Sequence, residues 1–168
     1  MPYSDSLLVP AVQTEVPAVI RLIEKRILWM QSKEIVQWAM DYLELYDYVY
    51  FSEAVRKKQL YVLKKAGKII GAVLALEEEP RWTGVPGEAL YLRHLAADPS
   101  FAGAGHHILA CCERLAAEKQ KRALRLDCQT GAKKLNGYYR LRGFHFRGYC
   151  KVGQYKGNRR EKKIRHSS

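Results

Sequence analysis

Apolar and polar positions along the chain change their period several times, and each change predicts a change of element. After a short apolar start at Leu7–Val9, residues Val16, Val19, Ile20, Ile23 and Ile27 recur at helical spacing, with Arg21, Glu24 and Lys25 largely opposite. Thr14 offers a possible N-cap, Glu15 suits a first turn and Pro17 stands where proline is tolerated, so a helix is expected there. A second helix is expected over 33–45, where Ile35, Trp38 and Tyr42 keep the same kind of spacing and read as core. The run QLYVLKKAGKIIGAVLAL then turns β-branched and apolar around an Ala-Gly step, which predicts a hairpin with strands over 60–64 and 69–76.

EEEPRWTGVPGE, with its prolines, glycines and triple acid, marks a long connection, and connections of that length in a compact domain are often functional. The acid run 77–79 itself reads as a solvated loop. A strand over 89–97, a glycine segment, a helix over 105–121 and a strand over 123–128 follow, making a β-loop-α-β unit. A short helix over 133–141 leads through Gly143 into a strand over 144–150. The fold class is therefore mixed α/β in a single domain over 1–155, with 156–168 a basic, flexible tail.

Composition narrows this picture modestly. At 168 residues with 48% hydrophobic and 27% charged residues, the chain suits one ordinary core. No apolar run approaches the roughly 20 residues that span a bilayer, so membrane insertion is not expected and a cytoplasmic location is. Cys111, Cys112, Cys128 and Cys150 form no CxxC pair and read as free buried thiols. A net charge of +12 favours acidic partners without choosing among them. Nucleic acid could meet the tail and Arg56, Lys57 and Lys58, although no nucleic-acid motif accompanies the charge.

The stretch SFAGAGHH carries the most specific chemistry. A helix start presents unpaired backbone amides and a positive dipole end, and glycine lets an anion approach them. The same pattern also serves as a tight turn. It is neither a Walker loop, lacking a following Lys-Ser or Lys-Thr, nor a full dinucleotide fingerprint, lacking the third glycine. His106 and His107 are helix neighbours pointing about 100 degrees apart, a poor metal pair, so no metal is expected. Their side chains should instead face a phosphate or solvent.

Residues 90–149, and KLNGYYRLRGF within them above all, resemble the acetyl-CoA-binding core of the GNAT N-acetyltransferase superfamily as found in bacteria. The tyrosine, three residues, glycine, phenylalanine pattern falls on Tyr139, Gly143 and Phe144, and LRLDC looks like the strand before it. More weakly, WMQSKEIVQW resembles an early helical segment of such proteins. The resemblance implies a V-shaped, splayed central sheet flanked by helices, with acetyl-CoA between strands that part. It places the pyrophosphate on the backbone of Ala102, Gly103, Ala104, Gly105, His106 and His107, and the thioester beside Leu95, Ala96 and Ala97.

The resemblance also departs from the family pattern. Aligning Gly103 and Gly105 with the closing small residues puts Ser100 where relatives carry Arg or Gln. The other register puts Ala102 there and His107 at the last small position. Ala132 stands where relatives often carry asparagine. The implied reaction is direct acetyl transfer to a primary amine of a small molecule or protein, with Tyr139 protonating the thiolate and contacting the cofactor. His94 is the candidate base, by its strand position and intrinsic pKa. A non-catalytic acyl-CoA-binding regulator and a basic nucleic-acid-binding module are the alternatives. Homodimers are common among the relatives.

Overall fold

The computed structural model describes residues 2–35, 38 and 41–165. Its strands are β1 (Leu8–Pro10), β2 (Leu60–Lys65), β3 (Lys68–Leu76), β4 (Ala89–Ala97), β5 (Ala123–Gln129), β6 (His145–Val152) and β7 (Tyr155–Lys163). They form a mixed seven-stranded sheet in the order β1-β2-β3-β4-β5-β7-β6. The helices are α1 (Val16–Ser32), α2 (Tyr42–Leu45), α3 (Tyr48–Arg56), α4 (Ala104–Glu118) and α5 (Lys133–Leu141). Two compact units divide the chain, Met1–Ala75 with Arg93–Cys112, and Leu76–Leu92 with Glu113–Ser168.

In the first unit, a 3-10 turn at Gln13–Glu15 precedes α1, and the Glu15 carboxylate accepts from the Val12 amide at 2.9 Å. Glu15, not Thr14, thus secures the entry. The apolar stripe of α1 buries Val16, Val19, Leu22, Ile23, Ile27 and Met30. Full burial of such side chains stabilises by about 1.5–3 kcal/mol each. The helix expected over 33–45 is seen in part: Lys33 closes α1, Tyr42–Leu45 form α2, and residues 36, 37, 39 and 40 lie outside the described residues. The hairpin β2-β3 turns on Ala66 and Gly67, both at positive φ (52 and 78), the geometry a right-twisted two-residue turn requires. Gly71 has a packing reason, since a Cβ there would lie 2.5 Å from Ile108 Cδ1. Ile108 thereby seats the beginning of α4 on β3.

In the second unit, β4 and β5 pair in parallel over Ala89–Tyr91 and Ala123–Arg125. The long connection after β3 is packed rather than free. Trp82 is buried against Ala89, Tyr91 and Ala123, with Leu76 and Val85 at the edge. Arg125, itself buried, stands with its guanidinium 4.8 Å from the Trp82 ring and donates to Tyr91 Oη at 3.0 Å, Glu161 at 2.6 Å and the carbonyls of Val85 and Pro86. Each carbonyl so bound is a loop position fixed in place.

The expectation of a flexible tail from residue 156 is corrected. Tyr155–Lys163 is a strand, antiparallel to β5 from Ala123↔Lys163 to Gln129↔Gly157 and antiparallel to β6 as well. Arg160 and Glu161, which point to opposite faces of the strand, are both buried and each held by a polar partner, so the segment shows no apolar alternation. Residues 166–168 lie outside the described residues. All four cysteines are buried thiols outside any disulfide. Burial pushes the Cys128 thiol up to about 12.

Candidate active site

The glycine segment is built as a braced turn in the first unit. The Asp98 amide donates to Ile70 O at 2.8 Å, tying the end of β4 to β3. The Asp98 carboxylate then accepts from the Ser100 amide at 2.9 Å and from Lys25 Nζ at 2.8 Å. Burial alone would raise the Asp98 carboxyl, but Lys25 and the Ser100 amide outweigh it and hold it below its ordinary value. Lys25 also reaches Ser100 Oγ at 3.1 Å. The position expected to lack its long polar side chain therefore has a cation beside it, supplied from α1.

Beyond Ser100, the Phe101 and Ala104 amides close successive turns onto Asp98 O and Phe101 O. Gly103 takes φ +83, a conformation a side chain would strain. α4 begins one residue later. Tyr3 Oη donates to Ala102 O at 2.6 Å, so the N-terminal segment buttresses the loop from outside.

The two histidines differ. His106 is exposed, whereas His107 Nε2 donates to Ser6 O at 2.8 Å, and its ring lies 5.7 Å from that of Tyr3. The His107 ring thus faces the N-terminal segment, not a phosphate or solvent as expected. Its amide closes onto Gly103 O at 3.0 Å, within the helix's own ladder. Among the described residues there is no group of three or more His, Cys, Asp or Glu placed to hold a metal.

His94 lies in the same unit, within β4 but at φ +53. A non-glycine residue in that region costs of order 1–3 kcal/mol and typically marks a bulge or a functional constraint. The turn out of the regular strand brings the imidazole among the rings of Tyr42, Tyr46, Tyr50 and Phe51, with centroids 4.3–5.9 Å away. Tyr50 Oη meets Nε2 at 2.9 Å, and Tyr42 Oη meets Nδ1. Trp38 stacks on Tyr42 with centroids 4.5 Å apart. After His94, Leu95 and Ala97 are half-buried and Ala96 is fully buried as β4 ends.

Tyr139 belongs to the second unit. It is buried on α5, its ring edge-on to Phe144 at 5.5 Å and to Tyr138 at 5.3 Å. One turn earlier, Asn136 occupies a buried polar node. Its Nδ2 donates to Gln129 O and Ala132 O at 3.0 and 2.9 Å, and its Oδ1 accepts from Asn158 Nδ2 and Arg160 Nε, both at 2.9 Å. Arg160 also donates to Phe144 O at 3.1 Å. Ala132, where relatives often carry asparagine, is the N-cap residue of α5, and its carbonyl is bonded by this Asn136.

The glycine-opened helix start and the α5 tyrosine both fall inside the stretch that matches a family model, the acetyltransferase (GNAT) family, over residues 25–144. The chain belongs to the GNAT acetyltransferase family. It is accordingly an acyltransferase whose chemistry is acetyl transfer by an N-acetyltransferase. Over 147 residues it is 27% identical to the uncharacterised N-acetyltransferase YesJ of Bacillus subtilis (strain 168), covering 83% of this chain and 81% of that one. A GNAT-family acetyltransferase from Listeria monocytogenes superposes with a TM-score of 0.79 at 21% identity, covering 95% of both chains. The PaiA N-acetyltransferase from Thermoplasma acidophilum, solved in complex with coenzyme A, does so at 0.73 and 13%, covering 94% of this chain and 98% of that one. These superpositions bear on the GNAT fold; acceptor and residue roles rest on the site itself.

Sequence reasoning read Tyr42 as core, not as a partner of His94, and did not single out Tyr46 or Tyr50, nor Asn136, Asn158 and Arg160 behind Tyr139. The only signal for the first group was tyrosine at every fourth position, 42, 46 and 50, before a strand histidine.

Proposed function

We propose that this GNAT member transfers an acetyl group from acetyl-CoA directly to a primary amine, carried by a small molecule or a protein, without a covalent enzyme intermediate. The observation that carries the proposal is the braced glycine turn at the head of α4. Gly103 and Gly105 leave backbone amides at a helix start without the bulk of side chains, the arrangement that accepts a pyrophosphate. The cradle then consists of backbone from Ala102 to His106, apart from the Ala104 amide, which closes onto Phe101 O, with Lys25 and Ser100 beside it in place of a long Arg or Gln. His107, its amide within the helix, is the weakest of the expected contacts.

The steps after binding follow from the residues. An amine is mostly protonated at neutral pH, so a base must take a proton before attack, and His94 is the proposed base. An amide of Leu95–Ala97 steadies the thioester oxygen as negative charge develops there. Tyr139 Oη returns a proton to the leaving thiolate, and its packing on Phe144 fixes the ring. Coenzyme A thus leaves as a neutral thiol. No helix among the described residues is long and apolar enough to cross a membrane.

Calorimetric titration with acetyl-CoA, with adenosine diphosphate as control, tests the cradle. Micromolar binding that exceeds the control is expected, and none at millimolar ligand overturns the proposal. Tyr139→Phe should keep that binding and lower turnover by about 10²-fold. Full turnover of that variant at saturating substrates removes Tyr139 from the acid role.

A further inference from the structure

His94 is the proposed base, yet neither of its ring nitrogens is open to a substrate. Nε2 is met by Tyr50 Oη at 2.9 Å and Nδ1 by Tyr42 Oη. A neutral imidazole has one N–H and one lone pair, so one tyrosine donates to it and the other accepts from it. The two tyrosines are not equivalent. Tyr42 is buried, under Trp38 and beside Tyr46, whereas Tyr50 is half-buried on the first turn of α3.

Resting on the acetyltransferase reading above, we infer that Tyr50 is the residue whose hydroxyl meets the acceptor amine, and that His94 withdraws the proton through it. In the starting state Nδ1–H donates to Tyr42 Oη and the Nε2 lone pair accepts from Tyr50 O–H. The ammonium gives a proton to Tyr50 Oη as the Tyr50 hydroxyl proton passes to His94 Nε2. The amine is left neutral, Tyr50 remains a neutral phenol, and His94 becomes imidazolium. Both of its N–H groups then donate to tyrosine oxygens, so no hydrogen bond is lost in the charged state. The ring faces of Tyr42, Tyr46, Tyr50 and Phe51 around it add cation–π attraction. Tyr42, Tyr46 and Tyr50 are titratable groups that meet His94 among the described residues. Arg93, its strand neighbour, lies over the Tyr46 ring at 5.9 Å and works against the added charge. On this assignment Tyr50 is a catalytic residue, and Tyr42 is a positioning residue that selects the Nδ1–H tautomer.

The test compares wild type, Tyr50→Phe and Tyr42→Phe in acetyl-CoA turnover with a diamine, an amino-acid amide and a tetrapeptide with a free N-terminus, from pH 6.5 to 10. Tyr50→Phe should lower kcat/KM about 10²-fold near pH 7, with the deficit shrinking to under about 5-fold where the amine is already unprotonated. Tyr42→Phe should cost less and displace the acidic limb of the profile. A Tyr50→Phe deficit constant at every pH, or no deficit, overturns the relay, because simple misfolding lowers all points alike. If wild type acetylates none of these amines, the amine-transfer reading fails instead. The hydrogen bonding beneath it is then judged by ¹⁵N NMR of the His94 imidazole. A Tyr50→Phe change centred on Nε2 is expected, and an unchanged Nε2 signal overturns the assignment.

Discussion

Replacing Asn136 by alanine tests the idea that a polar node, rather than apolar packing, holds the α5 helix and β7 together. Asn136 is 8% exposed, and its Oδ1 is the acceptor for both Asn158 Nδ2 and Arg160 Nε. A hydrogen bond to a charged group contributes about 1.5–3 kcal/mol, and a neutral one about 1. Truncation removes one of each and leaves the Nε of a buried cation without that acceptor, its other described bond being to Phe144 O at 3.1 Å. The Gln129 and Ala132 carbonyls, partly accessible, lose less. The expected cost is about 3–4 kcal/mol, or a fall in Tm of roughly 10 °C for a chain of this size. Urea unfolding followed by circular dichroism measures it. Arg160→Met removes the cation, so the double variant should be less destabilised than the sum of the single ones by about 1–2 kcal/mol. Loss of under 1 kcal/mol in Asn136→Ala, or strict additivity with Arg160→Met, refutes the node as the source of stability.

Two further predictions concern the loop before α4. Gly103→Ala meets no steric wall, since the added Cβ would find Tyr3 Cε2 at 3.7 Å, but φ +83 strains it. It should cost about 1–2 kcal/mol in thermal unfolding and weaken acetyl-CoA binding in calorimetry, and unchanged values in both would refute the cradle geometry. Asp98 has its carboxyl held below the ordinary value in the folded state, so its contribution is present above the unfolded pKa of about 3.9 and is lost as pH falls through the lower folded value. Asp98→Asn should therefore be less stable than wild type at pH 7, and the gap should close in unfolding curves below about pH 4. A gap that stays constant to pH 2 would show that the ion pair with Lys25 is not its source.

What was legible in the chain follows the chemistry that fills each position. β4 ends at Ala97 and α5 spans Lys133–Leu141 as the periodicity predicts, because apolar residues or a helical stripe occupy those places. β7 was hidden for the opposite reason. Its buried side chains include Arg160 and Glu161 on opposite faces, whose burial is offset by Asn136 and Arg125, and no period-2 pattern of hydrophobicity can signal a strand whose buried contacts are hydrogen bonds. Gly157 completes the disguise: its absent Cβ leaves room for the Tyr155 hydroxyl, which would otherwise lie 2.7 Å away, and that hydroxyl donates to Asp127 on β5.

The candidate site divides along the same line. The glycine turn could be seen because its own backbone from Asp98 to His107 is contiguous, although the side chains that brace it, Lys25 and Tyr3, come from elsewhere in the chain and were not foreseen. The partners of His94 could not, for Tyr42 and Tyr50 lie 52 and 44 residues before it and meet it only through the fold. A histidine within a strand looks packed or exposed until its φ of +53 is known, and that turn in the backbone is what carries the ring among the tyrosines. The strain and the hydrogen bonds imply each other. His94→Gly would relax the backbone but discard the imidazole together with its hydrogen bonds to Tyr42 and Tyr50, and the base is lost. An alanine there would keep the strain, and the difference between the two variants in unfolding free energy, expected to be about 1 kcal/mol in favour of glycine, measures what the fold spends to hold the imidazole in place. Equal stabilities would mean that β4 adopts the positive φ at His94 at no cost, and the unusual backbone would lose its standing as a sign of function.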